Sequence, residues 1–96
     1  MRIERNLRAR FIIKCICREL QIPEKVAREA NRLVRLVYEE DVAKGQPMDL
    51  VVLAAIFIAC RLHGYPTLLY EVIKAYNLIL TGDIESVNES MLNDGG

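Results

Sequence analysis

The stretch PMDLVVLAAIFIACRLHG, residues 47–64, is the longest apolar run of the chain and carries helix signals at both ends. Pro47 suits the first turn of a helix, and the carboxylate of Asp49 is favoured near the positive N-terminus. Gly64 supplies a residue that adopts the left-handed conformation in which many helices end. These signals predict one helix that fills most of the stretch.

Between residues 50 and 62 only Arg61 is charged, so the run is apolar on every side. A helix of this kind belongs in the middle of a bundle. A membrane span is excluded, because the uncharged run is much shorter than the roughly 20 residues that a bilayer requires. We therefore predict an all-α domain around a central apolar helix. The residues expected to be buried in this helix are Ala55, Ile58, Ala59 and Leu62.

The size and charge of the chain set limits on its class. Its 96 residues, 52% of them hydrophobic, correspond to one domain, 1–96, with a single core. The formal net charge is zero, yet residues 1–35 hold ten Lys or Arg and four Asp or Glu, whereas residues 36–96 hold three and nine. The pattern predicts a basic end and an acidic end, and the alternative is a scattered solvated surface.

Three further helices are predicted from apolar spacing, over residues 4–20, 23–44 and 67–77, the last capped by Thr67. The connection between the second and the central helix is short, so these two are expected to be neighbours. A short amphipathic segment follows, with Thr81 or Asp83 as its cap, and residues 93–96 are expected to fray. The apolar positions of this segment are Ile84, Val87 and Met91.

The second predicted helix has two faces. Val26, Ala30, Leu33 and Val37 recur at helical spacing on one side. A basic stripe lies nearly opposite and is either a solvated face or a contact for phosphates or an acidic protein. Its members are Lys25, Arg28, Arg32 and Arg35.

Catalytic and metal chemistry find little support in the sequence. The only histidine, His63, falls at a helix end, where an imidazole commonly complements the helix dipole, and no nucleophile or acidic orienter is near it. Cys15, Cys17 and Cys60 lack paired C-x-x-C spacing, and free cysteines are commonly buried as small apolar residues. We expect reduced thiols, no metal or cofactor, and an intracellular, non-enzymatic protein.

Two stretches resemble one repeat of the cyclin-like core of transcription initiation factor IIB and its archaeal counterpart, factor B. They are IPEKVAREANRLVR, residues 22–35, and LAAIFIACRLHGYPTLLYEV, residues 53–72. The resemblance implies a five-helix bundle wrapped around its third helix. The chain departs from the family in two ways: Leu68 stands where a capping threonine is usual, and GDIESVNESML is acidic where a DNA-contacting helix carries Lys or Arg. We therefore expect the fifth helix to be short or degenerate.

The resemblance implies a single-repeat module that binds proteins of a transcription apparatus, of the TATA-binding protein or RNA polymerase class, with at most weak contact to the DNA backbone. The alternative is a cyclin-type regulatory subunit of a kinase, because cyclins share the bundle. Pairing with a second copy of the chain is left open. The compartment would be the cytoplasm in a prokaryote and the nucleus in a eukaryote. The residues expected to make contact are Lys25, Arg28, Arg32 and Arg35, with Tyr65 and Tyr70 as aromatic anchors.

Overall fold

The computed structural model describes the backbone of residues 2–95 and the side-chain surroundings of residues 7–82. Over this range the chain forms four helices and no strand, which confirms the all-α class. In chain order the helices are α1 (Arg2–Glu19), α2 (Glu24–Glu39), α3 (Met48–Leu62) and α4 (Leu69–Gly95). None of the helices in the described part is long and apolar enough to cross a membrane.

Helix α3 is the centre of the bundle, as its apolar composition predicts. It packs against α1, α2 and α4, and its contact with α2 is the most extensive among the described residues. Val52, Ile56, Ala59 and Cys60 of α3 are completely buried. The other helices cover them with an apolar set that forms one continuous core: Ile13, Ile16, Val26, Ala30 and Val72.

The prediction of burial on every side of α3 is half right. Ala55 and Ala59 are buried, but 47% of Ile58 and 62% of Leu62 remain exposed. The physical reason is that three neighbouring helices do not enclose the whole circumference. Ile58 and Leu62 lie one turn apart on the side of α3 that the described side chains cover only in part.

Helix α2 ends at Glu39, well before the predicted end at residue 44. The chain turns at Asp41, which is left-handed (φ 55°), while the Val42 N–H donates to the Val37 carbonyl at 3.0 Å and the Asp41 N–H to the Tyr38 carbonyl at 3.2 Å. This bond pair is the Schellman ending of a helix. Three consecutive acidic residues, 39–41, also oppose continuation, since carboxylates are unfavourable at the negative C-terminus of a helix.

Helix α3 ends where Gly64 predicts. Gly64 is left-handed (φ 67°), and the Tyr65 N–H donates to the Cys60 carbonyl at 2.8 Å. Helix α1 ends in the same way at Gln21, which has a φ of 56° without being glycine. The three helix ends therefore share one backbone motif, which keeps the connections short and the helices adjacent.

Helix α4 differs from the prediction at its start. It begins at Leu69, so the capping position is Leu68 and not Thr67, and the Leu68 N–H donates to the Glu71 carboxylate at 2.9 Å. Thr67 is buried, and its hydroxyl bonds to the Cys60 thiol. Thr67 thus links the end of α3 to the residues that precede α4, and it does not cap α4.

The structure does not show the short fifth helix that the sequence predicts as a separate element, because its residues continue α4 as far as Gly95. The described backbone therefore forms a bundle of four helices. The Thr81 hydroxyl donates to the Asn77 carbonyl one turn earlier, at 2.8 Å, so it lies within a helix and does not cap a new one. The side chains of Ile84, Val87 and Met91 lie outside the described range. The frayed tail at residues 93–96 stays a prediction.

Candidate functional site

A groove lined by arginines runs between α1 and α2. It encloses about 390 Å³. We call it the basic groove, and its lining residues are Ala9, Arg10, Arg28, Asn31, Arg32, Val34 and Arg35. Three of the four residues of the basic stripe of α2 thus meet Arg10, which α1 contributes.

The groove follows from the pattern of α2. Val26, Ala30 and Val34 are buried against the core, so the arginines at positions 28, 32 and 35 are turned to solvent beside α1. Ala9 is buried beneath them and lets the backbones of α1 and α2 approach. Small buried side chains therefore place guanidinium groups of two helices at one cleft.

The arginines of the basic groove are only partly neutralised. Arg28 is 3.7 Å from Glu24 in a pair whose side chains are 70% and 85% exposed, and such pairs contribute little. Arg32 donates from Nε to the Glu29 carboxylate at 2.9 Å. For Arg10 and Arg35, no ion pair is found with any other described residue. Two guanidinium groups are thus available to an acidic partner.

Glu29 links the groove to the end of α3. Its carboxylate accepts from Arg32, and its other oxygen lies 3.4 Å from Nε2 of His63, the residue that follows α3. The hydrogen bond from Arg32, assisted by the charge of Arg32 and by His63, lowers the pKa of Glu29 below its ordinary value. The only histidine therefore serves a contact between helices, and no nucleophile is seen beside it among the described residues.

The floor of the groove contains a polar atom that needs a partner. The Asn31 side-chain nitrogen donates to the Ala27 carbonyl at 3.1 Å, while the side-chain oxygen is buried without a hydrogen-bond partner among the described residues. An unsatisfied buried acceptor costs roughly 1–3 kcal/mol.

The remaining site residues expected from the sequence do not join the groove. Lys25 is exposed on α2 but does not line the cleft. The Tyr65 hydroxyl donates to the Gln21 carbonyl at 2.9 Å, and this hydrogen bond links the end of α3 to the end of α1. Tyr70 is 69% exposed on α4, where it lines a separate shallow pocket. The structure thus brings together Arg28, Arg32 and Arg35 and leaves both tyrosines elsewhere.

The cysteines occupy apolar surroundings. Burial raises the pKa of the Cys17 thiol to about 12, with a smaller effect of nearby Cys60, and burial also raises the pKa of Cys60. Both thiols are therefore protonated at neutral pH and poorly nucleophilic. In the part of the chain that the structure describes, no cluster of three or more His, Cys, Asp or Glu residues could hold a metal ion.

A second exposed surface lies on α3 and is apolar. Leu50 (51% exposed), Ala54, Ile58 and Leu62 follow one another at four-residue spacing on the uncovered side. We call these four residues the α3 apolar face. A groove of about 260 Å³ lies alongside, and Gln46 is the one polar residue in its lining. The all-round apolar pattern of α3 concealed this surface from sequence reasoning.

Comparison with known proteins finds that the chain is similar to part of several transcription initiation factors. Residues 4–80 match the transcription factor TFIIB repeat family. The chain is 30% identical over 74 residues to transcription initiation factor IIB of Aeropyrum pernix, which is 76% of this chain and 23% of that protein. The corresponding protein of Methanopyrus kandleri is 32% identical over 75% of this chain and 24% of its own length. Transcription initiation factor IIB of Homo sapiens is 32% identical over 55% of this chain and 17% of its own length.

These matches favour the initiation-factor interpretation over the cyclin-type kinase subunit. The matched part spans about a quarter of the length of the two archaeal relatives. No solved structure matches the chain. Since the family match covers nearly all of α1, the whole of α2 and α3, and α4 as far as residue 80, the chain belongs to the transcription factor TFIIB repeat family.

Proposed function

We propose that this TFIIB repeat is a non-enzymatic binding module of a transcription apparatus, and that its basic groove holds an acidic surface of a partner protein. The single observation that carries the proposal is the meeting of Arg10 with Arg28, Arg32 and Arg35 at one cleft. The family relationship supports a partner from the transcription apparatus, and the TATA-binding protein or RNA polymerase is the class that the sequence resemblance implies. Such a module works in the compartment where transcription takes place.

The mechanism is presentation of a preformed charged cleft. A guanidinium group offers five donors in a rigid fork that matches a carboxylate, and interfaces are enriched in arginine. Because the helices that carry these groups pack on one core, the backbone needs no ordering when a partner binds, and the ordering cost is that of the arginine side chains.

An acidic protein fits the cleft better than the phosphates of DNA do. Glu24 and Glu29 border the arginines, and the chain as a whole has no net charge. A long polyanion would be repelled by these carboxylates and by the acidic half of the chain. A compact acidic patch need contact only the groove. Any contact with DNA is therefore limited to a few backbone phosphates.

The experiment compares capture of purified TATA-binding protein and RNA polymerase from the source organism by two triple variants. The first replaces Arg28, Arg32 and Arg35 with serine, and the matched control replaces Lys44, Arg61 and Lys74, which are also exposed. Both variants lose three positive charges and are expected to keep the fold, since exposed substitutions usually cost about half a kcal/mol each.

We expect the groove variant to lose tenfold or more in affinity for one of the two partners, while the control retains most of its binding. Equal losses in both variants would mean that net charge and not the groove governs the association. Undiminished binding by a folded groove variant would contradict the proposal and direct attention to Tyr70 on α4.

A further inference from the structure

A second groove adjoins the basic groove along the same two helices, α1 and α2. It has a volume of about 910 Å³ and shares Arg10, Arg28 and Asn31 with the basic groove. Its floor is apolar, because three buried core side chains line it: Ile13, Cys17 and Ile22. We call it the long groove, and its exposed side chains include Leu7, Arg10, Phe11, Lys14, Arg18 and Arg28.

One end of the long groove is apolar. Leu7 and Phe11 lie one turn apart on α1, and they are 59% and 58% exposed. Adjoining exposed apolar side chains beside a groove are typical of an interaction site, and aromatic residues are enriched in protein interfaces. This end of the groove therefore suits apolar side chains of a partner.

The other end of the long groove is basic. Lys14 and Arg18 continue the exposed row along α1, three and seven residues beyond Phe11. Neither of them, nor Arg10, has an ion pair with any other described residue. Among the described residues that line the groove, four are cationic and only Glu24 carries a carboxylate. Charge complementarity therefore requires an acidic partner.

On the basis of the function proposed above, we propose that the long groove binds an acidic amphipathic helix of the partner protein. Apolar side chains of that helix contact Leu7 and Phe11. Its carboxylates contact Lys14 and Arg18 at the other end of the groove.

The walls of the groove favour a helix over an extended peptide. Leu7 and Arg18 are eleven positions apart on α1, which corresponds to about 16 Å or three turns of a helix laid alongside. An extended peptide commonly binds by adding backbone hydrogen bonds to the edge of a sheet, and the described part of the chain has no strand. A helix satisfies its own backbone groups and binds through side chains alone.

The test measures fluorescence anisotropy of three labelled probes with the full chain. The first is a peptide of about four helical turns with leucines on one face and glutamates on the other. The second has the same composition in scrambled order, and the third is a thymidine oligonucleotide. We expect the amphipathic peptide to bind about tenfold or more tightly than either of the others. Equal binding of the two peptides, or tighter binding of the oligonucleotide, would overturn the proposal.

Variants locate the bound peptide. Phe11→Ser removes the aromatic side chain of the apolar end, whereas Leu36→Ser, at a position 42% exposed on α2 and outside the groove, is the matched control. We expect Phe11→Ser to bind the amphipathic peptide about tenfold more weakly and Leu36→Ser to bind it like the parent. Undiminished binding by folded Phe11→Ser would overturn the proposal. If Phe11→Ser fails to fold, the double change of Lys14 and Arg18 to serine supplies the same readout.

Capture of the purified partner separates this proposal from the proposed function. Arg35 lines the basic groove and not the long groove, so Arg35→Ser tests the basic groove alone. We expect both Arg35→Ser and Phe11→Ser to weaken capture. A loss in Arg35→Ser without a loss in Phe11→Ser would support the proposed function and contradict the helix. A loss in Phe11→Ser alone would support the helix and contradict the role of the basic groove.

Discussion

Two isoleucines of α3 offer a matched test of the fold, because they are two residues apart on the same helix and differ in burial. Ile56 is completely buried, and Ile58 is 47% exposed. Truncation of a buried isoleucine to alanine removes its transfer free energy and leaves a cavity, at a cost of 2–5 kcal/mol. We expect Ile56→Ala to lower the free energy of unfolding by about 4 kcal/mol, since no part of the side chain reaches solvent.

The same change at position 58 removes a side chain that is half in water. We expect Ile58→Ala to cost about 1 kcal/mol or less in the monomer. In a domain of this length each kcal/mol shifts Tm by about 4–8 °C, so Ile56→Ala should lower Tm by at least about 15 °C and Ile58→Ala by only a few degrees.

The assay is thermal unfolding followed by circular dichroism, with urea titration for the free energy of unfolding. Measurements belong at low protein concentration, because any association between copies would add stability that depends on concentration. Equal losses at positions 56 and 58 would refute the burial pattern of α3. A larger loss at Ile58 would mean that the helix is rotated relative to its neighbours.

Three further outcomes follow from local features. The pKa of the Glu29 carboxyl is lowered in the folded state, so this carboxylate stabilises the fold at pH values above its ordinary pKa of 4.5. The stabilisation is lost as the pH falls below 4.5. The difference in Tm between the parent and Glu29→Gln should therefore narrow in acid. Cys17 and Cys60 should react with a thiol reagent only at the rate of unfolding, and rapid labelling of either in the native protein would contradict their burial. Asp41→Gly should raise the free energy of unfolding by about 0.5–1 kcal/mol, because residue 41 is left-handed, and a decrease measured in urea would disprove this account of the end of α2.

The central helix and its end were predictable because their signals are local. An apolar run with Gly64 behind it specifies α3 from its own residues, and the family resemblance indicated the bundle around it. The stripe of α2 was visible in the same way, since helical spacing alone puts Arg28, Arg32 and Arg35 on one side. These predictions needed no knowledge of which helices meet.

The features that could not be predicted depend on contacts between distant parts of the chain. Arg10 enters the basic groove only because α1 packs beside α2, and a basic helix in the sequence does not reveal that neighbour. The exposure of Ile58 and Leu62 was concealed because a helix that is apolar all round does not indicate which side is left uncovered. The end of α2 was misplaced because Asp41 adopts a left-handed conformation that Gly45 seemed better suited to supply.

The variant Arg10→Ser tests whether the basic groove between α1 and α2 is the partner site. This residue belongs to the site only through the packing of two helices, and it has no ion pair with any other described residue. The measurement is the affinity of the variant for the captured partner, by isothermal titration, beside Lys74→Ser on α4 as the control of equal charge. We expect about a tenfold loss for Arg10→Ser, which corresponds to about 1.4 kcal/mol, and little change for Lys74→Ser. The same affinity in both variants would contradict this expectation.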